Sequence, residues 1–358
     1  MFSRIRQAGH YFFRTSQQSS NLVVGATTAC HDPHRTTQAA TQQTYGHLYS
    51  PSNWQRANKS DYNTAKMTIS PFKPKNIMLM PNTAVPKANI LADQVRAYLT
   101  NAGISVKSFN FDFESPKIIP DLNNIDLLIV IGGDGSLLRA GHFCAPLGIP
   151  LLGIKSGRLG FLVELNESEL EQKLEKLLKA EYRLERRLML KTELFSHDSL
   201  KCSWDVINEA VVCRGKDVHP VEVRVDLNEG YMNSYIADGV IVATATGSTG
   251  YALAAGGPIL PPELRNMLIL PIAPHLSLDR AVVLAEGAEV NLYPSIIHDV
   301  VISIDGMDPI MLAEGDRVHI QANQHSLLMV RFGEPNYFYR NLAAVMQRNP
   351  VLETEKNG

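Results

Sequence analysis

A buried strand that runs directly into a glycine-rich turn is the feature that most constrains the fold of this chain. Residues 125–131 are apolar apart from Asp126, and Gly132-Gly133-Asp134-Gly135-Ser136 follows them at once. Such an apolar run is typical of a strand buried on both faces of a parallel sheet. A helical pattern begins near Leu137. The order of strand, glycine turn and helix predicts an open α/β sheet.

The flanking residues repeat this alternation. Short apolar runs at residues 77–80, 104–109 and 149–154 predict further strands. Apolar positions with helical spacing precede Gly103, and a second such helix ends near Ala180. We expect a doubly wound α/β nucleotide-binding domain over residues 69–182, completed by about residues 328–350 at the C-terminal end of the chain.

After Arg187 the pattern changes to short β-branched or alternating runs separated by turn formers. The runs lie at residues 206–213, 221–227, 231–237, 239–243, 281–284, 290–293, 300–304 and 317–321. They predict an all-β, β-sandwich-like dinucleotide-binding domain over residues 183–327. A last strand (327–332) and a helix (337–346) are expected to return to the first domain.

The first 66 residues differ from the rest. They are rich in Ser, Thr, Gln and Asn, contain acid only at Asp32 and Asp61, and place several arginines among apolar residues. This composition resembles an organelle transit peptide. A disordered tail and an upstream extension before Met67 are the alternatives. We treat residues 1–68 as a leader outside the fold.

Charge and cysteine usage exclude several classes of protein. The net charge of −2 with 34 basic residues argues against nucleic-acid binding, and no apolar run is long enough to cross a membrane. The four cysteines show no disulfide or zinc spacing. The cluster of Arg183, Arg186 and Arg187 is interpreted as solvated charge.

The glycine turn carries the sharpest chemical signal. Glycines let the backbone approach phosphate oxygens, and a helix N-terminus favours anions. A carboxylate at Asp134 would repel those phosphates, which makes sense if it accepts a proton from an attacking hydroxyl or holds Mg²⁺. A plain Gly-Asp-Gly turn is the alternative.

Two other segments are candidates for ligand contacts. Residues 244–258 combine hydroxyls, glycines and Tyr251, which suits a loop that binds a polyhydroxylated or phosphorylated ligand; a flexible linker is the alternative. Asn208-Glu209 pairs an amide with a carboxylate, although a solvated turn often has this composition. Asp305 sits in a turn, and we expect it to shape a hairpin rather than contact ligand.

These segments together resemble the NAD kinase family. Gly132-Gly133-Asp134-Gly135, residues 153–162, Asn208-Glu209, Asp238-Gly239 and residues 246–258 follow the family's order. The resemblance covers most of residues 75–345. Because lipid kinases and phosphofructokinases share the Gly-Gly-Asp-Gly turn, the later segments make the resemblance specific.

The resemblance implies phosphoryl transfer from ATP, or polyphosphate in some members, to the 2′-hydroxyl of the adenosine ribose of NAD, with Mg²⁺. Asp134 would be the catalytic proton acceptor. The other implied contacts with ATP or NAD are Gly132, Gly133, Gly135, Arg139, Asn208, Glu209, His219, Asp238, Thr246, Thr249, Gly250, Tyr251, Ala252, Leu253 and Ala254. Asn208 and Glu209 would bind the sugars and adenine-side groups, and Asp238 the nicotinamide end. A cytoplasmic homodimer or homotetramer is expected, or one in the mitochondrion or another organelle if residues 1–66 are a transit peptide.

Five residues depart from the family pattern. Ser136 stands where Thr is usual, and both carry a hydroxyl. Lys155 replaces Asn and adds a cation near the expected phosphate path, and Gly250 replaces Ala. Met307 stands where Gln is frequent, and Ile236 occupies a position that is often basic. Two alternative functions remain open: a diacylglycerol- or sphingosine-type lipid kinase, and a dinucleotide-binding sensor without turnover.

Overall fold

The structure is a computed structural model that describes residues 70–110, 120–157, 160–228, 230–275, 279–334, 338–339 and 342. The predicted leader over residues 1–68 and most of the predicted C-terminal helix over residues 337–346 lie outside these ranges. Within the described ranges, no helix has the length and apolar character needed to traverse a bilayer.

The first part of the described chain alternates strands and helices. Its elements are β1 (Asn76–Pro81), α1 (Pro86–Asn101), β2 (Ser105–Ser108), β3 (Leu127–Gly132), α2 (Asp134–Cys144), β4 (Leu151–Lys155) and α3 (Leu170–Leu178). β1 pairs in parallel with β2 and β3, and β3 pairs in parallel with β4. The predicted α/β arrangement is therefore confirmed.

Local sequence explains these elements. Every residue of β3 is buried, because one face packs against the α1 side of the sheet and the other against the α2 side. α1 begins at Pro86, whose missing N–H has no helical partner in the first turn anyway, and it buries Leu91, Val95 and Leu99. The chain leaves α1 through Gly103 with a φ of 81°, which glycine adopts without a steric penalty.

The second part consists mainly of strands. They are β5 (Arg183–Ser196), β6 (Ser199–Val206), β7 (Glu209–Arg214), β8 (Val221–Leu227), β9 (Gly230–Ala237), β10 (Gly239–Thr244), β11 (Met267–Ile272), β12 (Val282–Leu284), β13 (Val290–Pro294), β14 (Val300–Ile304), β15 (Ile310–Met311) and β16 (Asp316–Arg331). A short helix, α4 (Tyr251–Ala254), follows β10.

The strands of the described ranges form two sheets. The first has the order β2-β1-β3-β4-β16-β13-β8-β9, with β5 paired to β16 and β6 paired to β5. The second is antiparallel and has the order β12-β11-β10-β7-β14-β15. Apolar side chains such as Val223 and Ile320 of the first sheet and Val212 and Val242 of the second share one core. The strand-rich, sandwich-like second part is thus confirmed.

β16 joins the parallel and antiparallel regions of the first sheet. Met329 pairs in parallel with Leu151 of β4, and the same strand runs antiparallel to β5 and β13. The sequence pattern predicts two strands here, over residues 317–321 and 327–332, and that division is wrong. The polar residues between them form a register irregularity between Ala322 and Ser326 within one strand.

The predicted single strand over residues 206–213 is also wrong. The chain ends β6 at Val206 and begins β7 at Glu209. Between them, the amides of Ile207 and Asn208 donate to the side chain of Asp305 rather than to a neighbouring strand. The break places Asn208 and Glu209 at the end of the second sheet.

Candidate active site

The glycine turn lies at the carboxyl end of β3. Gly132 ends β3, Gly133 is the N-cap of α2, and Asp134 is the first residue of this 11-residue helix. A Cβ on Gly132 would lie 2.7 Å from the Ser136 hydroxyl oxygen, so the position has no room for a side chain. Gly135 is exposed. This is the edge of an α/β sheet at which ligands bind.

Three backbone amides hold the Asp134 carboxylate at this edge. Phe161 donates to Oδ2 at 2.7 Å, and Leu162 and Val163 donate to Oδ1 at 3.0 and 3.4 Å. Gly160 packs against the same carboxylate so closely that a Cβ would overlap it. Because an ionised carboxylate offers about four lone-pair sites, one site on Oδ2 is left for a further donor.

A polar cavity of about 310 Å³ lies beside the turn and is lined by Lys87, Lys155, Ser156, Gly157, Asn166, Glu167 and Ser168. Lys155 is opposite Gly132 in the pairing of β3 with β4. Lys87 forms an ion pair with Glu167 at 2.7 Å. Within the described ranges, no ion pair engages Lys155, so its charge is available to an anionic ligand.

Asn208 packs against the second glycine-rich segment. Its carbonyl accepts a hydrogen bond from the Thr244 amide at 2.8 Å. Gly247 lies so close to this carbonyl that a Cβ would overlap it. A Cβ on Gly250 would lie 2.9 Å from Glu209 Oε2. The small residues of the segment therefore permit its close approach to the Asn208-Glu209 pair.

Glu209 has an unusual protonation equilibrium. Burial, reinforced by the negative charge of Asp305, raises the pKa of Glu209 to about 8, although an amide hydrogen bond from Tyr251 acts in the opposite direction. At neutral pH the ligand-free side chain is therefore mostly protonated. A protonated carboxyl both donates and accepts hydrogen bonds, which suits recognition of a sugar hydroxyl.

Asp305 organises the Asn208-Glu209 turn from the connection between β14 and β15. Its Oδ1 accepts the amides of Asn208 at 2.7 Å and Glu209 at 2.9 Å, and its Oδ2 accepts the amide of Ile207 at 2.8 Å. His142 Nε2, on α2, lies 3.0 Å from the same Oδ2. Besides lying in the β14–β15 turn, where we expect it to shape a hairpin, Asp305 connects α2 to the start of β7.

The hydroxyls that follow β10 bond within the chain. Thr244 Oγ1 donates to the Ile207 carbonyl at 2.6 Å, Ser248 Oγ to the Ala245 carbonyl at 2.7 Å, and Thr249 Oγ1 to the Thr246 carbonyl at 3.1 Å. The segment is a compact turn and helix rather than a flexible linker. Tyr251 and Ala254 of α4 are exposed, Leu253 is half-buried and Ala252 is buried.

Asp238 lies beside α4. Its Oδ1 is 3.2 Å from Nε of Arg214. Burial raises the pKa of Tyr251, with smaller contributions from Cys213 and the Asp238 carboxylate, which places the phenol in this group of residues. Asn208, Glu209, Asp238 and residues 246–254 thus come together.

The two remaining candidate residues are Arg139 and His219. Arg139 is half-buried on α2, one helical turn beyond the glycine turn. His219 is exposed in the segment before β8, where its ring stacks on His298 with centroids 4.5 Å apart. Among the described contacts, none joins His219 to another candidate residue.

The arginine cluster near residue 187 is not solvated charge, and that interpretation is wrong for Arg187. This residue is 2% exposed, and its Nη2 lies 2.8 Å from Oε1 of Glu185. Arg331 on β16 is fully buried and lies 3.3 Å from the same carboxylate oxygen. Such buried charge is sustained only when it is paired.

Two family models match this chain. The ATP-NAD kinase N-terminal domain matches residues 58–182, and the ATP-NAD kinase C-terminal domain matches residues 207–332. The chain belongs to the ATP-NAD kinase family. The two matches include both the glycine turn and the Asn208-Glu209 segment, so the resemblance found in the sequence is confirmed.

Curated relatives agree with the family assignment. An NAD kinase of Dehalococcoides mccartyi is 35% identical over 276 residues, which cover 77% of this chain and 97% of the relative. An NAD kinase of Chloroflexus aurantiacus is 34% identical over 272 residues, 75% of this chain and 96% of the relative. The activity of this ATP-NAD kinase family member is accordingly phosphoryl transfer to NAD, and the lipid kinase alternative is set aside.

Solved structures support the fold of the ATP-NAD kinase family. Yeast NADH kinase complexed with NADH superposes with a TM-score of 0.69 at 23% identity, covering 78% of this chain and 89% of that chain. The NAD kinase from Archaeoglobus fulgidus in complex with ATP superposes with a TM-score of 0.61 at 24% identity. The match covers 76% of this chain and 99% of that chain.

Sequence reasoning missed Asp305, His142 and Arg331 as parts of this site. The signal for Arg331 is a cation that ends the apolar run 327–330, where a buried strand would carry another apolar residue. His142 and Asp305 give no comparable local signal, since they are 163 positions apart and each fits an ordinary helix or turn.

Proposed function

We propose that Asp134 accepts the proton of the 2′-hydroxyl of the adenosine ribose when this enzyme phosphorylates NAD. The observation that supports this most directly is the carboxylate itself, held by three amides at the carboxyl end of β3 with one lone-pair site of Oδ2 open. A hydroxyl donor placed there would be within reach of a base that is already oriented.

The proposed reaction is an in-line transfer. The 2′-oxygen forms a bond to the γ-phosphorus of ATP, the bond from that phosphorus to the bridging oxygen breaks, and ADP leaves with the electron pair. The hydroxyl proton passes to Asp134. The exposed Gly135 and the N-terminus of α2 lie where phosphate oxygens would accumulate charge.

We assign the two substrates to two sides of Asp134. The phosphates of the donor would occupy the polar cavity that Lys155 lines. The dinucleotide would contact Asn208, Glu209 and Asp238, together with Thr246, Thr249 and Tyr251. ATP is the proposed donor; polyphosphate would use the same cavity, because both present a chain of anionic phosphates.

Mg²⁺ would be carried to the site mainly by the phosphates. Among the described residues, no group of three or more His, Cys, Asp or Glu side chains is arranged to hold a metal ion. This agrees with the usual binding of Mg²⁺ through substrate phosphates, water and one or two carboxylates. Asp134 is the carboxylate of the glycine turn itself. When bound, Mg²⁺ would neutralise charge on the phosphates.

Replacing Asp134 by Asn tests the proposal. A side-chain amide at this position cannot accept a proton, so turnover of NAD with ATP is expected to fall by a factor of at least about 100. Because Asn also has only one acceptor oxygen for the three backbone amides that Asp134 accepts, thermal unfolding verifies that the variant is folded, and calorimetry should show that it still binds NAD. Asp93→Asn, on the exposed face of α1, is the matched control and should leave turnover unchanged. If Asp134→Asn keeps full turnover, another group accepts the proton.

Binding of NAD by the unmodified protein with no product from any donor would indicate a sensor.

We further propose a homodimer or homotetramer, supported by the family assignment. Size-exclusion chromatography with light scattering measures the assembly directly, and a monomer at micromolar concentration would refute this proposal.

We propose that the protein is located in the cytoplasm. The alternative is the mitochondrion or another organelle, if residues 1–66 are cleaved as a transit peptide. Mass spectrometry of the mature N-terminus in the native cell distinguishes them. An N-terminus between residues 60 and 70 would favour cleavage, or initiation at Met67, and cell fractionation then separates these two possibilities.

A further inference from the structure

One residue, Leu162, connects the proposed base to a buried arginine through its backbone. The amide of Leu162 donates to Oδ1 of Asp134 at 3.0 Å, and the carbonyl of the same residue accepts a hydrogen bond from Nη1 of Arg331 at 3.1 Å. Leu162 lies between β4 and α3 in a segment without regular secondary structure. Its position therefore depends on such side-chain contacts more than on a backbone ladder.

Arg331 is itself fixed from several directions. Nη1 lies 2.9 Å from Oε2 of Glu164, and Nε lies 3.3 Å from Oε1 of Glu185. The other Glu164 oxygen accepts the amide of Phe332 at 2.8 Å. Arg331 is fully buried, and a planar guanidinium held by two carboxylates has little freedom to move.

Arginines surround Glu185 and stabilise its charge. Burial alone would raise the pKa of Glu185, but the guanidiniums of Arg187, Arg331 and Arg183 lower it to about 2. Glu185 is therefore ionised at all physiological pH values, and it holds Arg331 in place. Arg187 extends the cluster to the other side of the site, where its Nη1 lies 3.5 Å from Oγ1 of Thr246.

We propose that Arg331 is a positioning residue for phosphoryl transfer, acting on Asp134 through the backbone of Leu162. The inference rests on the proposed role of Asp134. Arg331 holds the Leu162 carbonyl, the Leu162 amide holds the Asp134 carboxylate, and the open lone pair of Oδ2 keeps its direction toward the sugar hydroxyl. Displacement of a reacting group by about 1 Å costs on the order of 100-fold in rate, so loss of this contact affects catalysis more than binding.

Arg331→Lys is the test variant, because it keeps the buried positive charge beside Glu164 and Glu185 but lacks the planar fork that also reaches the Leu162 carbonyl. We expect kcat to fall roughly 10- to 100-fold with the KM for NAD within about threefold of the unmodified value. Arg187→Lys is the matched comparison, since it changes the other buried arginine on Glu185 without touching Leu162. Its effect is expected on KM rather than on kcat.

A spectroscopic readout separates positioning from general loss of structure. Phe161-Leu162 is the one Phe-Leu sequence in the chain, so labelling Phe with ¹³C at the carbonyl and Leu with ¹⁵N isolates the Leu162 amide in an NMR spectrum. Its resonance is expected to move in Arg331→Lys and in Asp134→Asn, and to stay in place in Arg187→Lys. Thermal unfolding of each variant verifies that it is folded.

The outcomes are distinct. A kcat for folded Arg331→Lys close to that of the unmodified enzyme, or equal losses of kcat in the two arginine variants, overturns the positioning role. An unmoved Leu162 resonance does the same. If instead Asp134→Asn retains full turnover, the proposed base is wrong whatever the arginine variants do, so the two failures are distinguishable.

Discussion

Asp305 Oδ2 lies 3.0 Å from His142 Nε2, and both side chains are almost completely buried. The pair connects the helix that begins at Asp134 with the turn that presents Asn208 and Glu209. Gly141 strengthens this junction, because a Cβ there would lie 2.6 Å from Ile207 Cδ1. The proposed base and the proposed dinucleotide contacts are therefore held by one set of buried interactions.

Replacing Asp305 by Asn is expected to weaken both stability and NAD binding. An amide has one acceptor oxygen and an NH₂ group, so it cannot accept all three amides of residues 207–209. Leaving buried donors unpaired costs about 1–3 kcal/mol. Urea unfolding should show this loss, and the KM for NAD should rise. Asp308→Asn makes the same change at an exposed position of the same connection; equal effects from both substitutions would contradict this account of Asp305.

Glu209 is expected to make the stability of the ligand-free protein depend on pH between roughly pH 5 and pH 8. Its pKa is about 8 in the folded protein, against 4.5 for a free glutamate side chain. In this window the folded state keeps a proton that the unfolded state has lost. The free energy of unfolding therefore falls as pH rises, by up to about 1.4 kcal/mol per pH unit.

Urea unfolding of Glu209→Gln across this pH range measures the Glu209 contribution. The free energy of unfolding of the variant should fall less steeply with pH, because the Glu209 contribution is gone. Its stability relative to the unmodified protein should therefore increase toward pH 8. Glu222→Gln, at an exposed position on β8, should keep the original slope. Identical pH slopes for the unmodified protein and Glu209→Gln would show that Glu209 has an ordinary pKa.

Gly250→Ala introduces the alanine that is common in the family, but in this chain it is expected to impair dinucleotide binding, because Glu209 lies against the position of the new Cβ. The new Cβ would lie 2.9 Å from Glu209 Oε2 and 3.2 Å from the Gly247 carbonyl oxygen, so the Glu209 carboxyl must shift. A cost of about 1 kcal/mol would raise the KM for NAD several-fold, with a smaller change in the KM for ATP. Gly230→Ala is the control, because its Cβ would meet only the Leu227 carbonyl oxygen at 3.8 Å. An unchanged KM for NAD in Gly250→Ala would mean that Glu209 does not contact the dinucleotide.

Lys155→Ala is expected to weaken binding of the phosphate donor. The side chain lines the polar cavity beside Gly132 without an acidic partner among the described residues. Loss of the cation should raise the KM for ATP by on the order of tenfold and reduce its dependence on salt concentration. Lys73→Ala, at an exposed position preceding β1 and so at the opposite edge of the sheet, is the control. A changed KM for NAD with an unchanged KM for ATP would place the donor elsewhere.

Much of the α/β part could be predicted because its signals are local. Residues 125–131 are continuously apolar apart from Asp126 and become the buried strand β3, and the glycines that follow form its turn into α2. The all-β part was harder to delimit. β5 begins with Arg183, Glu185, Arg186 and Arg187, and these charges conceal the alternation that marks a strand.

The candidate site also has features that the sequence could predict and features that it could not. The sequence points to Asp134 because a carboxylate among glycines is unusual, and it points to Asn208-Glu209 only through the family resemblance. The sequence does not show that the hydroxyls of Thr244, Ser248 and Thr249 donate to backbone carbonyls of the same chain. Nor does it separate the buried Arg187 from an exposed arginine, since burial depends on partners distant in sequence.

The amino-acid order alone determined the α/β beginning, the strand-rich continuation and the acidic residue of the glycine turn, because each depends on the periodicity or backbone freedom of adjacent residues. Only the tertiary structure decided what holds that acid in place. The hydrogen bond from Arg331 to Leu162 spans 169 residues, and the contact of His142 with Asp305 spans 163. No local pattern encodes such pairs, since they form only when β16 and the turn after β14 are packed against the first domain.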